Sequence, residues 1–143
     1  VVSGEPYLMP DSERIVLDAL RAALPGIRCA VYLPTDWQPA LRAAGGLVIA
    51  RRVGGVMKDK RYVDEGMFTV QTYATTRADA SLLARRARAG LVRLTFEQFG
   101  NAEGYLSHFR EATGPFMTTD PMTEAQPDFY RFSANYMIAT RPR

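Results

Sequence analysis

Between Leu24 and Arg28 the apolar pattern of this chain changes period, and that change limits the folds open to it. Before it, Val16, Leu17, Leu20, Ala23 and Leu24 recur at the spacing of one helix face. Asp11 and Ser12 offer an N-cap, Glu13 an acidic first turn, and Pro25-Gly26 a stop. After it, Cys29, Val31 and Leu33 alternate with Arg28, Ala30 and Tyr32, the period of a strand that ends at Pro34.

The rest of the chain follows the same two periods. Residues 34–46, with Pro34, Pro39 and Gly45-Gly46, read as an irregular connection that carries the single tryptophan, Trp37. Leu47 to Val53 reads as a second strand closed by Gly54-Gly55, residues 56–65 as a charged loop, and Met67 to Ala74 as a third strand. On that third strand Phe68, Val70, Thr72 and Ala74 share one face, and Met67, Thr69, Gln71 and Tyr73 the other. Thr76 with Asp79 forms a capping box for a main helix running to about Phe99, with Leu83, Ala87, Leu91 and Leu94 as its core stripe. Residues 104–118 hold a strand or a hairpin around Gly114-Pro115, and a flexible turn with Pro121 and Pro127 follows. In the last strand, Phe129 to Thr140, Tyr130, Phe132, Ala134, Tyr136 and Ile138 face one way.

The predicted fold class is therefore α+β: a mostly antiparallel sheet with two main helices packed on one face, in the order α-β-β-β-α-β-β. The 143 residues, 47% of them hydrophobic, suffice for one core, so a single domain is expected over residues 11–143 behind a flexible N-terminal arm of residues 1–10. The longest apolar runs are too short to span a bilayer, and no signal-peptide pattern opens the chain, so neither a membrane nor a secretory role is expected.

Chemistry has few residues to work with. One cysteine, Cys29, and one histidine, His108, lie far apart in sequence, which argues against both a zinc site and a Cys-His nucleophile. The apolar neighbours of Cys29 suggest a buried thiol suited to a reducing compartment. Asp64-Glu65 on a strand would point to opposite faces, a poor chelate, and in a loop they read as solvated charges. Neither Ser12 nor Ser81 sits in a nucleophile elbow, and Gly54-Gly55 has no following helix to cradle a phosphate. No catalytic residue, metal or cofactor is expected.

Two basic stretches remain. Arg51, Arg52, Lys58, Lys60 and Arg61 face only Asp59 nearby, and five arginines between Arg77 and Arg93 face only Asp79. The first group is the candidate surface for DNA or an acidic partner; the helical group reads as a solvated face. The net charge of +3, with 16 of the 18 basic residues being arginine, is mild for a duplex-DNA binder. Tyr62, Tyr73, Tyr105 and Phe109 lie in or near strands and are the candidate subunit-interface residues, because aromatic residues are enriched in such interfaces.

Four stretches carry a likeness to a known family: Pro10 to Arg14 leading into Val16 to Pro25, Leu47 to Gly55 ending in Arg51-Arg52-Val53-Gly54-Gly55, Phe68 to Ala89, and Phe132 to Pro142. In order and spacing they resemble the tail-terminator family of siphophages, especially phages of GC-rich hosts. The resemblance implies a non-enzymatic virion subunit, assembled in the host cytoplasm, that closes into a ring, commonly a hexamer. Such a ring sits at the head-proximal end of the tail, ends polymerisation of the tail tube and meets a head-completion or neck protein. DNA would cross its lumen without sequence specificity. Another neck component and a small non-specific nucleic-acid-binding domain are the alternatives; the latter predicts salt-dependent binding through Arg51, Arg52, Lys58, Lys60 and Arg61.

Overall fold

The computed structural model describes residues 8–118 and 129–143. The expected N-terminal arm thus lies largely outside the described residues, as does the turn expected around Pro121 and Pro127. Three helices and five strands are formed: α1 (Ser12–Ala23), β1 (Arg28–Ala30), α2 (Trp37–Ala44), β2 (Leu47–Asp59), β3 (Val63–Ala74), α3 (Arg77–Phe96), β4 (Gly104–Thr118) and β5 (Tyr130–Pro142). The strands make one sheet in the order β1-β2-β3-β5-β4, in which only the β1–β2 pair is parallel. This is the predicted α+β class, with one more helix than expected.

The helix caps form where the side chains called for them. Asp11 Oδ1 accepts from the Arg14 amide at 3.3 Å, and Thr76 Oγ1 accepts from the Asp79 amide at 3.2 Å. Each bond satisfies one of the amides that a helix start leaves without a carbonyl. Replacing Thr76 with alanine is expected to destabilise the protein by about 1 kcal/mol, read as a lower urea midpoint with an unchanged slope. An unchanged midpoint would mean that water caps α3 equally well.

Helix α2 occupies part of the stretch expected to be irregular. Pro39 stands in its first turn, where a missing amide costs no hydrogen bond, so it starts a helix rather than breaking one. Gly45, at φ +75, closes it, its amide donating to the Leu41 carbonyl at 2.9 Å. The helix supplies the crossover between the parallel strands β1 and β2.

The main core lies between the sheet and the pair α1 and α3. Ile15, Val16 and Leu20 from α1 and Leu83, Ala87 and Leu91 from α3 meet Val48, Ala50, Phe68, Val70, Tyr136 and Ile138. Phe68, Val70, Tyr136 and Ile138 are alternating positions read from the sequence. On the opposite face α2 packs on β2 and β3, where Leu41, Leu47, Ile49 and Tyr73 form a smaller core with Trp37 and Phe129. The Trp37 and Phe129 rings meet edge to face, with centroids 4.7 Å apart.

Several expected boundaries move, and β1 ends at Ala30, short of the strand expected up to Pro34. Gly54-Gly55 does not close β2, which continues to Asp59; the glycines sit at a register shift between Arg52 and Gly54. The residue left unpaired at that shift is Val53; beyond it Gly55 has φ +125, and a Cβ there would lie 2.2 Å from the Glu65 carbonyl oxygen, so glycine lets β2 go on against β3. The charged loop of residues 56–65 is therefore the distal half of a β2–β3 hairpin. At its tip Asp59 Oδ1 accepts from the amides of Arg61 and Tyr62 at 2.9 and 3.2 Å. Gly114-Pro115 likewise makes no hairpin. β4 is one strand with three register shifts, and Pro115 is tolerated because β4 is the edge of the sheet. Helix α3 ends at Phe96 rather than Phe99, where Gln98 at φ 57 turns the chain and the Phe99 amide donates to the Leu94 carbonyl at 2.8 Å.

Candidate functional site

The hairpin gathers the first basic stretch and divides it. Arg51 and Arg52 are neighbours on β2, so they point to opposite faces. Arg51 is exposed on the face away from α1 and α3, opposite Thr69 of β3. Arg52 turns to the helical side and makes a fork to Asp64, with Nη1 and Nη2 donating to the two carboxylate oxygens at 2.5 and 3.0 Å. Its Nη1 also donates to Ser12 Oγ at 3.1 Å, its Nε to the Gly54 carbonyl at 3.0 Å, and its backbone amide to Glu13 Oε2 at 2.9 Å. One arginine thus ties the start of α1, the bulge of β2 and the root of β3 together. Its hydrogen bonds to Asp64 hold the guanidinium above its ordinary pKa, against the opposing pull of burial.

Asp64 and Glu65 are not solvated charges. Both are buried on β3 and, as alternation requires, they serve opposite faces. The Glu65 side chain is 3% exposed; Lys58 Nζ lies 3.4 Å from its Oε2, and Arg110 Nη2 of β4 lies 3.6 Å from its Oε1. Arg110 reaches Glu65 across β5, where the intervening residues include Ala139, small enough to be bridged. Among the described residues Glu65 Oε2 accepts no hydrogen bond, so the carboxylate is held mainly by the two positive charges.

This arrangement withdraws Arg52 and Lys58 from the basic group and leaves Arg51 on one face and Lys60 and Arg61 at the hairpin tip. The patch is smaller than its sequence suggests. Asp64 and Glu65 were the missing counter-charges; Arg52 is in register with Phe68 rather than Asp64, so no local pattern announces the pairing.

The four aromatic candidates separate as well. Tyr62 is exposed at the hairpin tip. Tyr73 is 2% exposed and belongs to the small core beneath α2, so it offers no surface to a neighbour. Tyr105 is half-buried near the start of β4. Phe109 is half-buried and packs on Tyr136, ring centroids 4.9 Å apart. Tyr62 and Tyr105 thus belong to opposite sides of the sheet, one on the β2–β3 hairpin and the other on β4.

Other reactive groups are isolated. Cys29 is buried, and burial pushes its thiol up to about 11 against a smaller opposing effect of Arg21. His108 is exposed on β4. Among the described residues no cluster of three or more His, Cys, Asp or Glu side chains comes together.

The two sides of the sheet present unlike edges. β1 pairs with β2 only from Leu47 to Ile49, so the outer side of β2 from Ala50 to Asp59 has no strand partner among the described residues. β4 is the opposite edge, interrupted by its three register shifts and carrying His108, Arg110 and Glu111. Bulges and charges of this kind keep an edge from pairing indiscriminately.

The fold is one that virion proteins use. The chain superimposes on a chain of the virion of a native gene transfer agent particle with a TM-score of 0.60, covering 90% of this chain and 93% of that one at 13% sequence identity. No curated protein matches it in sequence. The family described as phage tail termination protein matches residues 8–137, from the last residues before α1 into β5. That match takes in both helices of the main core, the whole β2–β3 hairpin and the β4 edge, and by it the chain belongs to the phage tail termination protein family, a family of tail structural proteins rather than enzymes.

Proposed function

We propose that this protein closes into a ring that caps a phage-type tail tube, ends its polymerisation and offers the surface to which the head, through a completion or neck protein, is joined. The observation that carries the reading is the pair of unlike open edges on opposite sides of one sheet, β2 from Ala50 to Asp59 and β4. An interface made of two different surfaces is heterologous, and it yields a closed ring when the rotation between neighbours divides a full turn. A hexamer is the ring size that the family suggests. Tyr62 from the hairpin and Tyr105 and Phe109 from β4 are the candidate contacts across that interface. The ring would stand at the head-proximal end of the tail after assembly in the host cytoplasm.

Arg51, Lys60 and Arg61, with Arg52 and Lys58 as their paired neighbours, are the candidate lumen- or partner-facing group. The ion pairs to Asp64 and Glu65 support passage of DNA over retention: a bore with fewer free positive charges releases fewer counterions and holds DNA less firmly. The same pairing weighs against a dedicated nucleic-acid-binding domain.

The test is absolute mass by light scattering over a range of concentrations, combined with tube-length measurement after adding the protein to growing tail tubes. The expected result is a discrete ring, alone or on the tube, and tubes that stop growing once capped. A monomer that leaves tube growth unchanged would overturn the reading.

A further inference from the structure

Helix α3 has two apolar stripes, and only one of them is used by the fold. The inner stripe, Ala80, Leu83, Ala84, Ala87, Leu91 and Leu94, is buried. Directly opposite, at the three- and four-residue steps that place side chains along one line, stand Ala78, Leu82, Arg85, Ala89, Val92 and Phe96. All six are exposed: Leu82 by 37%, Val92 by 47% and Phe96 by 90%. The outer meridian of a surface helix is ordinarily polar.

One flank of this outer stripe is basic. Arg86 and Arg93 stand on one side, and Arg85 lies within the stripe itself. Among the described residues no carboxylate pairs with Arg85, Arg86 or Arg93; on this helix Arg88 alone has an acidic partner, Glu111 at 3.1 Å. Beside the C-terminal half of the stripe is a groove of about 340 Å³ between α3 and the start of β4, lined by Val92, Thr95, Phe96, Ser107, His108 and Phe109. A projecting phenylalanine next to a depression of side-chain size suits a partner that presents one apolar residue to the groove and a hollow to Phe96.

We infer that the outer face of α3 docks a partner protein through an acidic amphipathic element, an apolar ridge flanked by Asp or Glu. The charge selects this occupant. A second copy of the chain, itself net positive, would set the same three arginines against a basic neighbour, and like charges at an interface oppose binding. A phosphate backbone would satisfy the arginines and leave Leu82, Val92 and Phe96 uncovered.

The experiment uses the whole protein and a fluorescently labelled synthetic helix with leucine along one stripe and glutamate on both flanks. The expected result is saturable binding, with amide shifts confined to residues 78–99 and 107–109. Two substitution sets test the two halves of the surface: Val92→Ala with Phe96→Ala, which leaves the charge unchanged, and Arg85→Glu with Arg86→Glu and Arg93→Glu. All five positions are exposed, and circular dichroism checks the fold. Each set is expected to weaken binding by about tenfold or more, as is a scrambled peptide of equal charge. Binding that survives Val92→Ala/Phe96→Ala, or that the scrambled peptide reproduces, would overturn the inference. So would a short DNA duplex that protects the same amides and excludes the peptide, or self-association that Phe96→Ala abolishes.

Discussion

Replacing Arg52 with methionine is expected to destabilise the protein by about 3 kcal/mol and to lower its melting temperature by roughly 10 °C. Methionine keeps most of the aliphatic stem but removes every donor. Asp64, its side chain only 10% exposed, would be left as a buried carboxylate without its guanidinium fork. The penalty for an uncompensated buried charge is the larger part of the effect; the Arg52 side chain is itself 27% exposed, which keeps the figure at the low end for a buried pair. Ser12 Oγ loses its contact with the same group, so the start of α1 is loosened from the hairpin root. The double variant Arg52→Met/Asp64→Leu is expected to recover most of the loss, since two apolar side chains leave no charge stranded. Urea unfolding of the two single variants and the double variant gives the coupling energy. A single-variant cost below about 1 kcal/mol would show that water reaches Asp64 and that the fork behaves as a surface pair.

Replacing Tyr136 with alanine is expected to cost about 3–5 kcal/mol. Tyr136 is the largest of the fully buried side chains; it sits in the main core under the two helices and against the Phe109 ring. Truncation leaves a cavity where β5, β4 and α3 meet, and among the described residues Phe109, half-buried already, stacks on no other aromatic ring. The far milder Tyr136→Phe separates volume from hydroxyl and is expected to change stability by less than about 1 kcal/mol. Burial pushes the Tyr136 phenol up to about 12, with Arg88 opposing and Glu111 reinforcing the shift. A folded-state value above the unfolded one means that the native protein holds its proton longer. The contribution of this group to stability is therefore fully present below pH 10 and lost as pH rises to about 12. Phenolate absorbance from Tyr136 should appear together with alkaline unfolding; its appearance in a protein still folded near pH 10 would contradict the burial.

The residues that respond in these two experiments were legible in the sequence to different degrees. Tyr136 belongs to the alternation from Tyr130 to Ile138, and a period of two sustained over that length marks a strand, with these residues on one face. The same holds for Phe68 to Ala74 and for the inner stripe of α3. These patterns are local, arise from backbone geometry alone and determined the α+β class, the layer arrangement and most of the core. The caps at Asp11 and Thr76 were legible for the same reason, since each bond spans three residues.

The pairing of Arg52 with Asp64 and of Glu65 with Lys58 and Arg110 was decided by tertiary structure. Gly54-Gly55 carries the local signature of a strand end, and only the register with β3 turns it into a bulge through which β2 continues. That continuation brings charges from separate parts of the chain within reach, and it makes buried partners of Asp64 and Glu65. Helix α2 was hidden similarly, because Pro39 ends a helix or starts one according to a position that packing of Leu41 and Trp37 on β2 and β3 selects. The sequence alone determined which segments are helix or strand and which sides of them are apolar. What faces solvent, which charges are neutralised and which edges and helix faces remain for partners follow from contacts distant along the chain, where no local period carries information.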